Sequence, residues 1–214
     1  RLRGEAGLTF KQPVEGQLDL DTHSLDIEQI VSESGDTLTW NLADNEGFMG
    51  SRLRIDLPSA SKKIVILYST SPDAPALQWL EPQQTAGKSH PYLFSQCQPI
   101  HARTMMPLQD SPAVRFSYTA EVTVPKDLVV VMSAAPGEII KSDDGDVSVF
   151  RFDMPQPIPS YLLALAVGNL VSRDLGPRSR VYAEPEVIDA AAWEFAKVDS
   201  MLTAAEGLFG PYQW

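Results

Sequence analysis

The residues able to do chemistry cluster in one stretch, Gln96-Cys97-Gln98-Pro99-Ile100-His101. Cys97 and His101 form a conceivable nucleophile and base, because a thiol becomes reactive when a neighbour lowers its pKa. Pro99 lies between them and breaks any helix that could stack one over the other. The competing reading is a small buried thiol beside a hydrogen-bonded histidine. Adding His90 gives three zinc ligands, but no fourth is identifiable. Gln96 and Gln98 are two amides one residue apart, which on an extended segment point to the same side. Each offers two donors and an acceptor, so the pair can hold a peptide backbone or an α-amino group without adding charge, or can simply satisfy its own loop. Arg103 and Asp110, seven apart across Met105-Met106-Pro107, are placed to pair and pin the segment.

Other chemistries leave no trace. There is no Gly-rich phosphate loop, no G-x-S-x-G turn and no H-E-x-x-H helix. Asp21-Thr22 and Asp36-Thr37 lack the glycine that would complete an aspartic protease triplet. Asp19, Asp21, Asp26 and Glu28 have none of the offsets of a calcium loop and read as a solvated strand face. Catalysis carried wholly within these residues is not expected.

The elements that must position Gln96 to Asp110 are mostly strands. Leu53, Ile55 and Leu57 alternate with Arg52, Arg54 and Asp56, the period of a half-buried strand, and Lys63 to Tyr68 reads as a more fully buried run. Val114, Phe116, Tyr118, Ala120, Val122 and Val124 predict a strand of about 36 Å, long enough to be shared along a large sheet. Leu128–Met132, Val147–Phe152 and Leu162–Val167 follow, with Asp143-Asp144-Gly145-Asp146 as a hairpin turn. Residues 70–113 are punctuated by seven prolines and anchored by Trp79, Tyr92 and Phe94, which predicts an ordered, irregular excursion. From Pro185 the period changes. Ile188, Ala191, Phe195, Val198, Leu202, Ala205 and Phe209 lie on one helical stripe that Gly210-Pro211 ends. The Gly176-Pro177 break within 173–180 predicts a hinge before it.

The chain has 214 residues with 17 basic and 28 acidic side chains, a net charge of −11. That balance disfavours nucleic acid and anionic membrane surfaces as partners. One cysteine permits no internal disulfide, and the longest apolar run, Tyr161–Val167, is too short to span a bilayer. Arg1-Leu2-Arg3 at the start and Gly210-Pro211-Tyr212-Gln213-Trp214 at the end predict a piece of a longer protein. A cytoplasmic location is expected, with a periplasmic or secreted parent as the alternative.

Gln96 to Arg103, followed by Pro107-Leu108-Gln109-Asp110-Ser111-Pro112, closely resembles the zinc aminopeptidases (gluzincins), in their leukotriene hydrolase/aminopeptidase branch. Leu18–Thr22, Tyr118–Val122, Pro157–Leu162, Val167-Gly168 and Gly210-Pro211-Tyr212 match in order and spacing. The resemblance implies a mainly β fold: a saddle-shaped, multi-stranded, largely antiparallel domain over 1–175. Residues 176–214 would then be the first strand and helix of a thermolysin-like catalytic domain. It implies a parent that removes N-terminal residues from peptides by zinc-assisted hydrolysis, with its zinc ligands beyond Trp214 and none in this piece. This piece alone would then be inactive, with peptides and the parent's own catalytic and C-terminal domains as its partners. By the same resemblance Gln96, Cys97 and Gln98 line the substrate cleft near the peptide's amino end. Pro99 stands where the animal leukotriene enzymes have alanine, a departure that bears on epoxide hydrolase side activity more than on peptidase activity. Composition alone equally permits a β-sandwich binding or scaffold module.

Overall fold

The alternation at Leu53, Ile55 and Leu57 belongs to a strand far longer than the pattern that reveals it. In the computed structural model, which describes residues 1–142 and 145–212, the chain begins with β1 (Arg3–Thr22), β2 (Asp26–Ser32), β3 (Trp40–Leu42) and β4 (Ser51–Ser69). β4 pairs antiparallel with β1 along almost its whole length, from Thr22 opposite Ser51 to Arg3 opposite Ser69. The other edge of β4 is shared: β3 lies against Leu53–Ile55 and β2 against Ile64–Ser69.

The core of this sheet changes phase within β4. Leu53, Ile55 and Leu57 are buried at odd positions, and Ile64, Ile66 and Tyr68 at even ones. An uninterrupted strand would turn the second set outward. The change coincides with Ala60 at φ +58° and with the irregular pairing of β1 between Thr9 and Gly16. Lys63–Tyr68 is therefore not buried throughout as its composition suggests; Lys63 is exposed, and Val65 and Leu67 are half-buried. Leu53, Ile55, Ile64 and Ile66 are completely buried, each contributing about 1.5–3 kcal/mol by leaving water.

The acidic residues of β1 and β2 are more than a solvated face. Asp19 accepts two 2.7 Å hydrogen bonds from Arg54, Asp26 pairs with Arg1 and Glu28 with Arg3, and Asp21 lies 3.5 Å from Arg103.

The chain divides into two compact units. The first comprises Arg1–Gln78, Ser95–Phe116 and Ile158–Ala164; the second takes 79–94, 117–157 and the residues from 165 on. Residues 70–113 are less irregular than their prolines suggest, for they contain β5 (Leu77–Leu80) and β6 (Tyr92–Ser95). Trp79 lies on β5, and Tyr92 and Phe94 on β6.

In the second unit β7 (Arg115–Pro125) has the predicted length and alternation, with Val124 buried. It joins a sheet of only three strands, in the order β7, β10 (Val147–Pro159), β9 (Ala135–Lys141). The β9–β10 hairpin forms as the Asp-Gly signal predicts, with Gly145 at φ +73° donating its N–H to Ser142 O at 2.9 Å. Asp143 and Asp144 lie outside the described residues. β8 (Val129–Met132) pairs with β11 (Leu165–Gly168), in the sheet order β5, β6, β11, β8. The architecture is mainly β and antiparallel.

Gly176-Pro177 lies in the turn of a two-stranded hairpin, β12 (Val171–Asp174) with β13 (Arg180–Ala183), and the boundary expected at 175/176 falls in that turn. The predicted single helix is two: α1 (Ile188–Glu194), packed on β12 and β13, and α2 (Val198–Phe209). Between them the bonds tighten to Ala196 N–H on Trp193 O and Val198 N–H on Phe195 O, a 3₁₀-type turn that preserves the apolar spacing while breaking the helix. No helix among the described residues is long and apolar enough to cross a membrane.

Candidate functional site

Directly after β6 the backbone leaves the sheet, and the next residues alternate in exposure. Gln96 and Gln98 are exposed, while Cys97 between them is 1% exposed. The two amides are thus the members of the trio able to reach a ligand, and the thiol packs beneath them. Gln96 N–H donates to Ala76 O at 2.8 Å, and Gln98 N–H donates to the Gln96 side-chain oxygen at 3.1 Å. Among the described residues that bond engages the Gln96 oxygen and leaves its NH₂, and both ends of the Gln98 amide, available on exposed side chains. The Gln98–Pro99 peptide is cis.

Cys97 does not form a nucleophile pair with His101. Their contact is through the backbone, His101 N–H to Cys97 O at 2.8 Å. Burial, reinforced by the nearby Asp110 carboxylate, pushes the thiol up to about 12, against a smaller opposing effect from a hydrogen bond with Ser95. An activated thiol needs the opposite shift. Ellman's reagent at pH 8 is therefore expected to find no fast-reacting thiol in the native chain and one after denaturation; rapid native labelling would show that the segment opens.

The zinc trio fares no better. Among the described residues no three His, Cys, Asp or Glu side chains gather so as to hold a metal ion. The His90 ring is engaged by the Ser89 hydroxyl at 2.9 Å.

Further along, the segment is fastened by a buried polar cluster. Arg103 and Asp110 pair as their spacing predicts, Nε to Oδ2 at 3.1 Å, with side chains 3% and 0% exposed. The same Oδ2 accepts the Arg103 N–H at 3.1 Å, and Oδ1 accepts the Ser160 hydroxyl at 2.6 Å. The rest of the guanidinium donates to Asp110 O at 3.1 Å and Met49 O at 2.6 Å. Asp21 accepts from Asp110 N–H at 2.8 Å. A cation and an anion this deep are tolerated because nearly every lone pair and proton is met. Asp21 and Ser160 carry no local sequence signal for this role, being 82 and 57 residues from Arg103 along the chain.

A family model of the peptidase M1 N-terminal domain matches residues 2–162. The chain belongs to that family. This M1 N-terminal domain is 44% identical over 203 residues, 92% of its length, to leukotriene A-4 hydrolase of Xenopus laevis. It is 43% identical over 214 residues, 97% of its length, to leucine aminopeptidase 2 of Yarrowia lipolytica. It covers 33% and 32% of those two relatives, about a third of their length. Among solved structures, yeast leukotriene A4 hydrolase in complex with bestatin superposes with a TM-score of 0.88 at 33% identity, over 99% of this chain and 33% of that one. An M1 zinc metallopeptidase of Deinococcus radiodurans shares the fold at 20% identity, with a TM-score of 0.73 over 97% of this chain and 48% of its own.

Proposed function

We propose that this chain forms part of the substrate cleft of a zinc aminopeptidase that removes N-terminal residues from peptides, and that its contribution is to position the substrate. Gln96 and Gln98 hold the amino-terminal end of the peptide by neutral hydrogen bonds, and Cys97 anchors the backbone between them. The observation that carries the reading is the pair of exposed amides on a segment whose continuation is fixed by the buried Arg103–Asp110 pair. The relatives named leukotriene hydrolase and leucine aminopeptidase supply the activity class.

Zinc would supply the parent with a polarised carbonyl and an activated water. The donor set described here does not fit that ion, so its ligands are assigned to residues beyond 214, along with the proton transfers. What these residues do is restrict geometry: a fixed amino end lets only the first peptide bond reach the reacting atoms. Residues 176–214, which include the helical segment from residue 188, are assigned to the opening of the catalytic domain, and the location to the cytoplasm. A free-standing β-sandwich binding module has nothing among the comparisons to support it.

Gln98→Ala in the full-length enzyme tests the reading. A neutral hydrogen bond contributes about 0.5–1.5 kcal/mol, so KM for di- and tripeptides is expected to rise about three- to tenfold with zinc content unchanged. Steady-state kinetics unchanged for both Gln98→Ala and Gln96→Ala would overturn it.

A further inference from the structure

We infer that Thr104 is a positioning residue for the two amides, acting through the backbone at Gln96 and at Cys97 between them. This inference rests on the cleft reading of Gln96 and Gln98. Thr104 is completely buried, as are Ala76 and Ala102 around it. Its hydroxyl donates to His101 O at 2.8 Å and accepts from Ala76 N–H at 3.0 Å. Those two residues in turn hold Gln96 and the buried Cys97 that follows it. Ala76 O accepts the Gln96 N–H at 2.8 Å, and His101 N–H donates to Cys97 O at 2.8 Å.

One hydroxyl therefore closes a ring of hydrogen bonds that runs from Thr104 through Ala76 to Gln96, and back from Cys97 through His101. Serine or threonine suits the position because a hydroxyl alone, in so small a volume, both donates and accepts. Remove it and Ala76 N–H is left buried without its acceptor. The strand end bearing Gln96 and the turn bearing His101 then lose their common tie. Nothing in the ring touches a ligand. Its effect is on where the amides stand, and positional errors of an ångström are enough to degrade binding of a small, directional group.

The test uses the full-length enzyme with five variants, Gln98→Ala among them, read by KM and kcat for dipeptides and tripeptides together with the melting temperature. Thr104→Val keeps the shape and removes the hydroxyl; Thr104→Ser keeps the hydroxyl. Ile66→Val, in the β1–β4 core, controls for general loss of stability, and Gln96→Ala reports the amide itself. Expected is a rise in KM of about three- to tenfold for Thr104→Val with kcat nearly unchanged. Thr104→Ser and Ile66→Val should leave KM alone. If Gln96→Ala raises KM and Thr104→Val does not, or if Ile66→Val raises it equally, the positioning role is overturned while the cleft reading stands. If neither Gln96→Ala nor Gln98→Ala moves KM, the cleft reading fails and takes this inference with it.

Discussion

Asp110→Ala is expected to lower stability by about 3–5 kcal/mol, the range found when one member of a buried ion pair is removed and the other is left uncompensated. Arg103 would remain 3% exposed with its Nε and backbone N–H unmet, and the buried Ser160 hydroxyl would lose its acceptor. Asp21, 3.5 Å from the guanidinium, offsets part of this, which places the expectation toward the lower end. Urea denaturation of the chain gives the number directly. Two comparisons show that it measures burial and not simply the loss of a charge. Asp19→Ala breaks a pair with Arg54 of shorter distance, 2.7 Å, but on half-exposed side chains, and should move the midpoint far less because solvent already screens it. The double variant Arg103→Met with Asp110→Leu should recover much of the loss, since no buried charge is left stranded. A cost for Asp110→Ala no larger than that for Asp19→Ala would show that the segment is held by its packing and that the ion pair is incidental.

The alternation of exposure in Gln96-Cys97-Gln98 was readable locally, although Gln98 lies in a turn and not on the extended backbone that its spacing suggested. So was the pairing of Arg103 with Asp110, which needs only seven residues and an intervening turn. The same locality explains β7, whose outward and inward residues alternate without interruption from Arg115 to Val124. What fails is anything that depends on distant partners. Asp21 and Ser160 join the Arg103 cluster from far along the chain, and Thr104 reads as an ordinary loop residue until Ala76 is brought against it. The phase change in β4 hides for a related reason: each half alternates correctly, and only the pairing with β1 shows that both belong to one strand. Between α1 and α2 the difficulty is one of resolution. Ala191, Phe195 and Val198 keep spacings of four and three across a break that costs only one turn of regular bonding, so the apolar period carries no mark of it.

Gly50→Ala should be comparably damaging, for a reason that Gly47→Ala, three residues earlier, allows to be isolated. Both glycines have positive φ, +63° at Gly47 and +76° at Gly50. A methyl group at Gly47 meets nothing within 4 Å, so alanine there costs only the backbone strain of the left-handed region, about 1–2 kcal/mol. At Gly50 the ψ of −145° lies near a region that essentially only glycine occupies. An added Cβ would also stand 2.1 Å from Thr22 O and 2.8 Å from His23 Cβ. The carbonyl cannot swing aside freely, because β1 and β4 are paired there at Thr22 and Ser51. Relief must come from moving the 47–50 turn, and that turn carries Met49 O, the acceptor of Arg103 at 2.6 Å. The combined cost is expected to be on the order of 3 kcal/mol or more. In the proposed full-length aminopeptidase it should appear as a raised KM as well as a lowered melting temperature, because the disturbance reaches Arg103, which fastens the segment that carries Gln96 and Gln98. Equal losses for Gly47→Ala and Gly50→Ala would mean that strain alone is measured and that the turn is free to yield. A Gly50→Ala enzyme of low stability but ordinary KM would mean that Arg103 keeps the amides in place without Met49.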